Sequence, residues 1–265
     1  MSNKKFVFVV FATVSIALSL AGCGKKTGEE ATVDTKSSSP AGGGASAYNE
    51  SMGTATVTGK VAFTGPAPEK TKIQMSSEPS CLSQHKGPLY AQEGEINANG
   101  TLPFVFVYVK EGAEKWTFPT PSNPVTIDQK GCRYEPHVFG IQPNQKLVIL
   151  NSDPILHNIH TYAKENAPFN LGMPTQGMKF ERDFKKAEMP PISIKCDVHK
   201  WMVSYAGVVP HPFYSVTGVD GAFTLKGLPP GEYSIEAWHE KYPSQIQKVT
   251  VGDKETKELT FTFQG

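Results

Sequence analysis

Short runs of alternating apolar and polar residues, each closed by Gly, Pro, Asn or Asp, constrain this 265-residue chain more than any other feature. From Thr54 to Thr64 the odd positions are Ala55, Val57, Gly59, Val61 and Phe63, and the even ones are mostly Thr or Lys. A period of two places one face of a strand in a core and the other in water. Leu102 to Val109 and Lys146 to Leu150 are fuller apolar runs, and Ile192, Ile194 and Cys196 share one strand face. Tyr233, Ile235 and Ala237 alternate, as do Leu259, Phe261 and Phe263; Asp220-Gly221 is a hairpin turn signal. Short strands at this spacing predict an all-β chain built from sandwiches or barrels. Gly (24) and Pro (21) supply the turns, and 10% aromatic residues supply core volume. Helical bundles and Rossmann-type folds are excluded. The one helical possibility is Phe180 to Ala187. Lys and Arg (26) balance Asp and Glu (25), which excludes a nucleic-acid binder working by bulk charge.

The N-terminus reads as an address. Lys4 and Lys5 precede an uncharged run from Phe6 to Leu20. That run is shorter than the ~20 residues a membrane-spanning helix needs, and suits a signal-peptide core. Leu20-Ala21-Gly22-Cys23 follows, and resembles the lipobox of bacterial lipoproteins. The resemblance implies removal of residues 1–22, lipid on Cys23, and a membrane-anchored protein. With Gly rather than Asp at position 24, it implies an outer-membrane lipoprotein facing the periplasm or the cell surface. Residues 23–52 hold Gly, Ser, Ala, Thr and charges, too little apolar surface to offset chain entropy. They are expected to form a flexible tether. The folded body is then expected as 53–102, 103–210 and 211–265.

Cys196-Asp197-Val198-His199-Lys200-Trp201-Met202 gives a C-x2-H-x2-M spacing, and Asn151-Ser152-Asp153-Pro154-Ile155-Leu156-His157-Asn158-Ile159-His160 lies about forty residues before it. One thiolate, two imidazoles and a weak thioether form the donor set of an electron-transfer copper site. A tight loop leaving a strand can return Cys, His and Met to one point, while a neighbouring strand supplies the second His. These residues resemble the cupredoxins of the amicyanin and plastocyanin type. The resemblance implies a Greek-key sandwich over 103–210 and one copper held by His157, Cys196, His199 and the axial Met202. His199 would be the exposed ligand, and Asn158 would tie the two ligand loops together. It implies single-electron transfer with a redox protein partner, and no enzyme chemistry, because four protein ligands leave no open position. The partner is expected to dock on an apolar rim of Trp201, Pro154 and Ile155 around His199.

The remaining candidates have plainer readings. His160, His137, His85, His211 and His239 read as packed or surface residues, and Met173 and Met178 as packing residues. Cys81 and Cys132 are left after Cys23 and Cys196 are assigned. In an oxidising compartment they form either a disulfide or, with His85 or His137, a second metal site. No C-x-x-C-H occurs, so covalent haem is not indicated.

Val216-Thr217-Gly218-Val219-Asp220-Gly221-Ala222-Phe223 and Leu228-Pro229-Pro230-Gly231-Glu232-Tyr233 resemble the carboxypeptidase regulatory-like domain, a relative of transthyretin-like sandwiches. Val57-Thr58-Gly59-Lys60-Val61-Ala62-Phe63 resembles the first strand of the same module. The copper sandwich would then be inserted into a second sandwich. The rival reading is a surface lipoprotein whose second sandwich binds carbohydrate or protein, with copper structural or stored. Copper delivery would favour Met-rich runs, and the sequence has none.

Overall fold

The computed structural model describes residues 45–265, so the expected signal segment 1–22 and Cys23 lie outside the described residues. Almost all regular structure is strand, as the alternation predicts. One sandwich lies between residues 125 and 208. Its five-stranded sheet runs Asn170–Met173, His157–Tyr162, Glu188–Lys195, Val203–Val208, Val138–Ile141 in spatial order. Its four-stranded sheet runs Lys179–Arg182, Leu147–Asn151, Val125–Gln129, Tyr134–Glu135. Ile127, Ile141, Leu147, Ile149, Ile159 and Ile194 fill the space between them and are fully buried.

The second sandwich has a four-stranded sheet, Tyr214–Val216, Phe106–Glu111, Gly231–Trp238, Gln245–Val251, and a three-stranded one, Ala222–Leu228, Ala55–Thr64, Thr256–Gln264. Val57, Phe223, Ile235 and Phe261 lie in its core. The first strand, Ala55–Thr64, pairs in parallel with the last, Thr256–Gln264. The first and last strands of this sandwich are therefore neighbours, and the 125–208 sandwich is inserted between them in sequence, as expected.

Three sequence expectations change. Phe106–Glu111, expected within 103–210, bonds to Tyr214–Val216 and Gly231–Trp238 and belongs to the second sandwich. An apolar run does not reveal which of two cores it enters. The tether was expected to reach residue 52, but Ser46–Ala47 pairs with Trp116–Thr117, and the Tyr48 hydroxyl donates to Gly227 O at 2.8 Å. Phe180 to Ala187 is not helical: Lys179–Arg182 is an edge strand paired with Leu147–Asn151.

The two sandwiches meet through an aromatic layer. Gly140 and Gly207 are cross-strand partners in the five-stranded sheet. The Tyr214 and Phe106 rings, stacked 5.6 Å apart, press onto those two glycines. Residues 66–98, between two strands of the second sandwich, cross to the first, where Ile73, Met75 and Cys81 join its core.

Candidate metal centre

The register of the five-stranded sheet brings the two candidate ligand segments together. His157–Tyr162 pairs antiparallel with Glu188–Lys195, with Lys195 opposite His160. Cys196 is the first residue past that strand, and His157 opens the neighbouring one. The loop from Cys196 then folds back on itself. His199 N–H donates to Cys196 Sγ at 3.4 Å, Met202 N–H to His199 O at 2.8 Å, and Cys196 N–H to Met202 O at 3.2 Å.

The donor atoms of His157, Cys196 and His199 all lie within 4.8 Å of one another, and the three residues are buried. His157 Nδ1 is 2.9 Å from His199 Nδ1, and Cys196 Sγ is 3.9 Å from His199 Nδ1. Two imidazole lone pairs at such a distance repel unless a proton or a cation lies between them. Met202, 1% exposed, is buried in the same core. The residues present thus fit a thiophilic metal ion with imidazole and thiolate donors.

Asn158 links the two candidate ligand segments by hydrogen bonds. Its Oδ1 accepts from Asp197 N–H at 2.7 Å and lies 3.3 Å from Cys196 Sγ. Its Nδ2 donates to Asp197 Oδ2 at 2.9 Å and to Asn170 Oδ1 at 2.8 Å. Charge follows this geometry. Burial alone would raise the Cys196 thiol. Hydrogen bonds from His157 and His199 and from backbone N–H groups outweigh it and pull the thiol down to about 6, so the thiolate is available at neutral pH. Burial alone would lower the His157 imidazole, but hydrogen bonds with Asp153 and Cys196 outweigh it and the net shift is upward.

His199 departs from the expectation. It is 1% exposed, not a ligand with its ring edge at the surface. Residues 66–98 cover it: Glu78 Oε2 lies 3.7 Å from His199 Nε2, and the short helix Pro79–Leu82 follows directly. Trp201 packs over the same ring at 5.2 Å between centroids and donates from Nε1 to Cys132 O at 3.0 Å. Cys81 and Cys132 form a disulfide, with Cα atoms 5.6 Å apart, that pins this covering segment. The second-metal alternative for that pair is thereby removed. Of the expected docking rim, Trp201 is half-buried, Pro154 exposed and Ile155 half-buried.

The other histidines lie outside the donor cluster. His160 Nδ1 is 3.2 Å from Asp197 and its ring stacks on Tyr162. His137 bridges Val203 O at 3.1 Å and Glu240 at 2.6 Å, at the junction of the sandwiches. His85 Nε2 lies 2.8 Å from Gly131 O. Burial pushes His211 and His239 down to about 4, which keeps them neutral packing residues. Met173 is buried with Gln129 Nε2 2.9 Å from its sulfur, and Met178 is half-buried.

Sequence reasoning missed two side chains. Asp153 is 1% exposed and its Oδ2 sits 2.8 Å from His157 Nε2. A carboxylate four residues before a candidate ligand was the available signal. Glu78 carried none, because nothing local to it points at residue 199.

No curated protein matches the chain. Among solved structures, a Cu-containing nitrite reductase from Thermus scotoductus SA-01 is 20% identical with a TM-score of 0.31, over 38% of this chain. The match spans 25% of that reductase, so the chain covers about a quarter of its length. A Cu(I) amicyanin M98A mutant is 16% identical (TM-score 0.29; 34% of this chain, 86% of that one). A purple cupredoxin from Nitrosopumilus maritimus is 21% identical (TM-score 0.28; 32% of this chain, 99% of that one). Residues 204–264, beginning in the last strand of the inserted sandwich and running through most of the second, match the family model of the carboxypeptidase regulatory-like domain.

Proposed function

We propose that this chain is a membrane-anchored copper protein that passes single electrons between redox partners at the periplasmic or cell surface. The observation that carries the reading is the convergence of His157, Cys196 and His199 within 4.8 Å in a buried pocket, with Met202 closing the same loop. Copper supplies a one-electron couple when bound. His157 and His199 would hold it through Nδ1, Cys196 through Sγ and Met202 through its thioether. The chain's contribution is rigidity. Asn158, Asp153 and the loop's own backbone bonds hold the donors in place, so little reorganisation opposes a change of charge. Four protein donors leave no place for a substrate, which favours a carrier over an enzyme. A lipid on Cys23 would keep the carrier at a membrane.

The test is the visible spectrum of copper-loaded protein. An intense thiolate-to-copper charge-transfer band is expected, and Cys196→Ala should remove it while leaving the fold intact by circular dichroism. The same band in Cys196→Ala would overturn the assignment.

A further inference from the structure

Cys132 is connected to the metal centre through every polar atom it has. Gly131 and Cys132 adopt left-handed backbone in succession, with φ of 62° and 52°. For a non-glycine residue that conformation costs about 1–2 kcal/mol, so something must hold it. The consequence is a small concavity of two N–H groups, a form suited to an anion. Gly131 N–H donates to Asp153 Oδ1 at 2.8 Å and Cys132 N–H to Asp153 Oδ2 at 2.7 Å. Asp153 Oδ2 also meets His157 Nε2. The carbonyl of Cys132 accepts from Trp201, which packs on His199. Its sulfur joins Cys81, three residues from Glu78, the carboxylate facing His199 Nε2.

A carboxylate only accepts hydrogen bonds, so the hydrogen in the Asp153–His157 contact sits on Nε2. Nδ1 is then the nitrogen left facing the donor cluster, 2.9 Å from His199 Nδ1, and the one that would bind a metal ion. We infer that Asp153 is a positioning residue for His157, and that the Cys81–Cys132 disulfide positions Asp153 by holding the Gly131–Cys132 turn. The disulfide is thus part of the metal centre's outer support as well as a cross-link. The metal half of this inference rests on the proposed function; the hydrogen-bond half does not.

The test uses the full chain, oxidised so that the parent and Asp153→Asn carry the disulfide, in two states. In the metal-free protein, hydrogen exchange of the His157 Nε2–H is followed by NMR. Asp153→Asn replaces two carboxylate oxygens serving three N–H donors with one amide oxygen. Exchange should quicken at least about tenfold, on the scale of a net hydrogen-bond loss. The Cys81→Ser/Cys132→Ser variant should quicken it in the same direction. In the second state, affinity is measured with Zn(II) as a non-redox probe. A loss of about 10–100-fold is expected for Asp153→Asn, as for other groups that orient a ligating imidazole. With copper, a tenfold greater loss for Cu(II) than for Cu(I) would appear as a potential raised by about 59 mV.

Unchanged exchange and unchanged Zn(II) affinity in Asp153→Asn would refute the role of Asp153. An Asp153→Asn effect without one in the disulfide variant would refute the role of the disulfide. If Asp153→Asn does not fold, the disulfide variant alone decides: unchanged exchange and affinity there would refute the inference, and a quickened exchange would support it. Altered exchange in a protein that binds no copper would uphold the positioning and sink the proposed function.

Discussion

Gly207→Ala tests how the inserted sandwich is seated on its host. A methyl carbon built at Gly207 falls 2.6 Å from Phe106 Cζ, and 2.8 and 3.0 Å from the two Cε atoms. Carbon atoms pack at about 3.5–4.0 Å, so the ring or the strand must retreat by about 1 Å. Phe106 is fully buried and stacked on Tyr214, so it has no free direction in which to move. Overpacking of this kind costs about 1–3 kcal/mol. Removing a glycine from a strand returns about 0.5–1 kcal/mol of chain entropy. The expected net loss is about 1–2 kcal/mol. Gly140→Ala brings a methyl within 2.2 Å of Tyr214, but that ring is only half-buried and can tilt outward, so a smaller loss is expected. Gly172, in the edge strand Asn170–Met173, has no atom within 4 Å of the added methyl and serves as the control. Urea unfolding followed by fluorescence and far-ultraviolet circular dichroism gives the three midpoints. The seating argument fails if Gly207→Ala is as stable as the parent, or if Gly172→Ala is the more damaging change.

In the metal-free protein, the ultraviolet thiolate absorption of Cys196 should titrate with a midpoint of about 6, against an unfolded value of 9.0. Its folded value is depressed, so its contribution to stability is fully present above 9 and is lost as pH falls through 6. The stability difference between parent and Cys196→Ala should therefore grow with pH across that window, and a titration near the ordinary thiol value would contradict it. Replacing Cys81 and Cys132 by Ala should cost roughly 4 kcal/mol, from closure of a loop with sequence separation 51. A measured cost below about 1 kcal/mol would show that the covering segment is held by its packing alone. Met202→Leu should keep the charge-transfer band and raise the copper potential, because losing a weak donor disfavours Cu(II); an unchanged potential would remove Met202 from the site.

Local pattern made much of this molecule readable, and long-range pairing accounts for what was not. The alternation in Ala55–Thr64 is a property of neighbours two residues apart, and it appears in the burial of Ala55, Val57 and Val61. The Cys196–Met202 loop is likewise local: seven residues whose own backbone bonds fold them together. The role of Asn158 follows from the H-N-x-H resemblance, which is local to the His157 segment. The sandwich that Phe106–Glu111 joins is not legible locally, because its partners Tyr214–Val216 and Gly231–Trp238 lie more than a hundred residues away. Phe180 to Ala187 reads ambiguously because Phe180 and Phe184, four apart, share a face in a helix and in a strand alike. The burial of His199 is the clearest case. It depends on Glu78, a residue on a different excursion of the chain, brought there by a disulfide whose pairing spacing alone left open.

The burial of His199 changes the route by which an electron would reach the centre. A ligand with its ring edge in water can touch a partner directly; His199, 1% exposed, cannot. Its cover consists of Trp201 on one side and Glu78 on another. Glu78 belongs to a segment without regular structure apart from Pro79–Leu82, whereas Trp201 is held by its tilted contact with the His199 ring and by its bond to Cys132 O. Half-buried Trp201 therefore joins the ligand to the surface through rigid contacts, and a partner is expected to dock over it. Exposed apolar side chains stand on the same segments as the ligands and the disulfide: Val198 at 46%, Leu156 at 46% and Leu82 at 51% exposure. Weak redox complexes bury less than about 1,200 Å², so one central aromatic side chain carries a large share of the contact. Truncating such a residue costs more than about 1 kcal/mol, roughly fivefold or more in affinity. Trp201→Lys should slow electron exchange with the partner by at least that factor while the copper spectrum stays nearly unchanged. Thr224→Lys, on an exposed position of the second sandwich, should leave the rate alone. If stopped-flow rates ranked the two variants the other way, the second sandwich would be the docking surface and Trp201 merely a lid on His199.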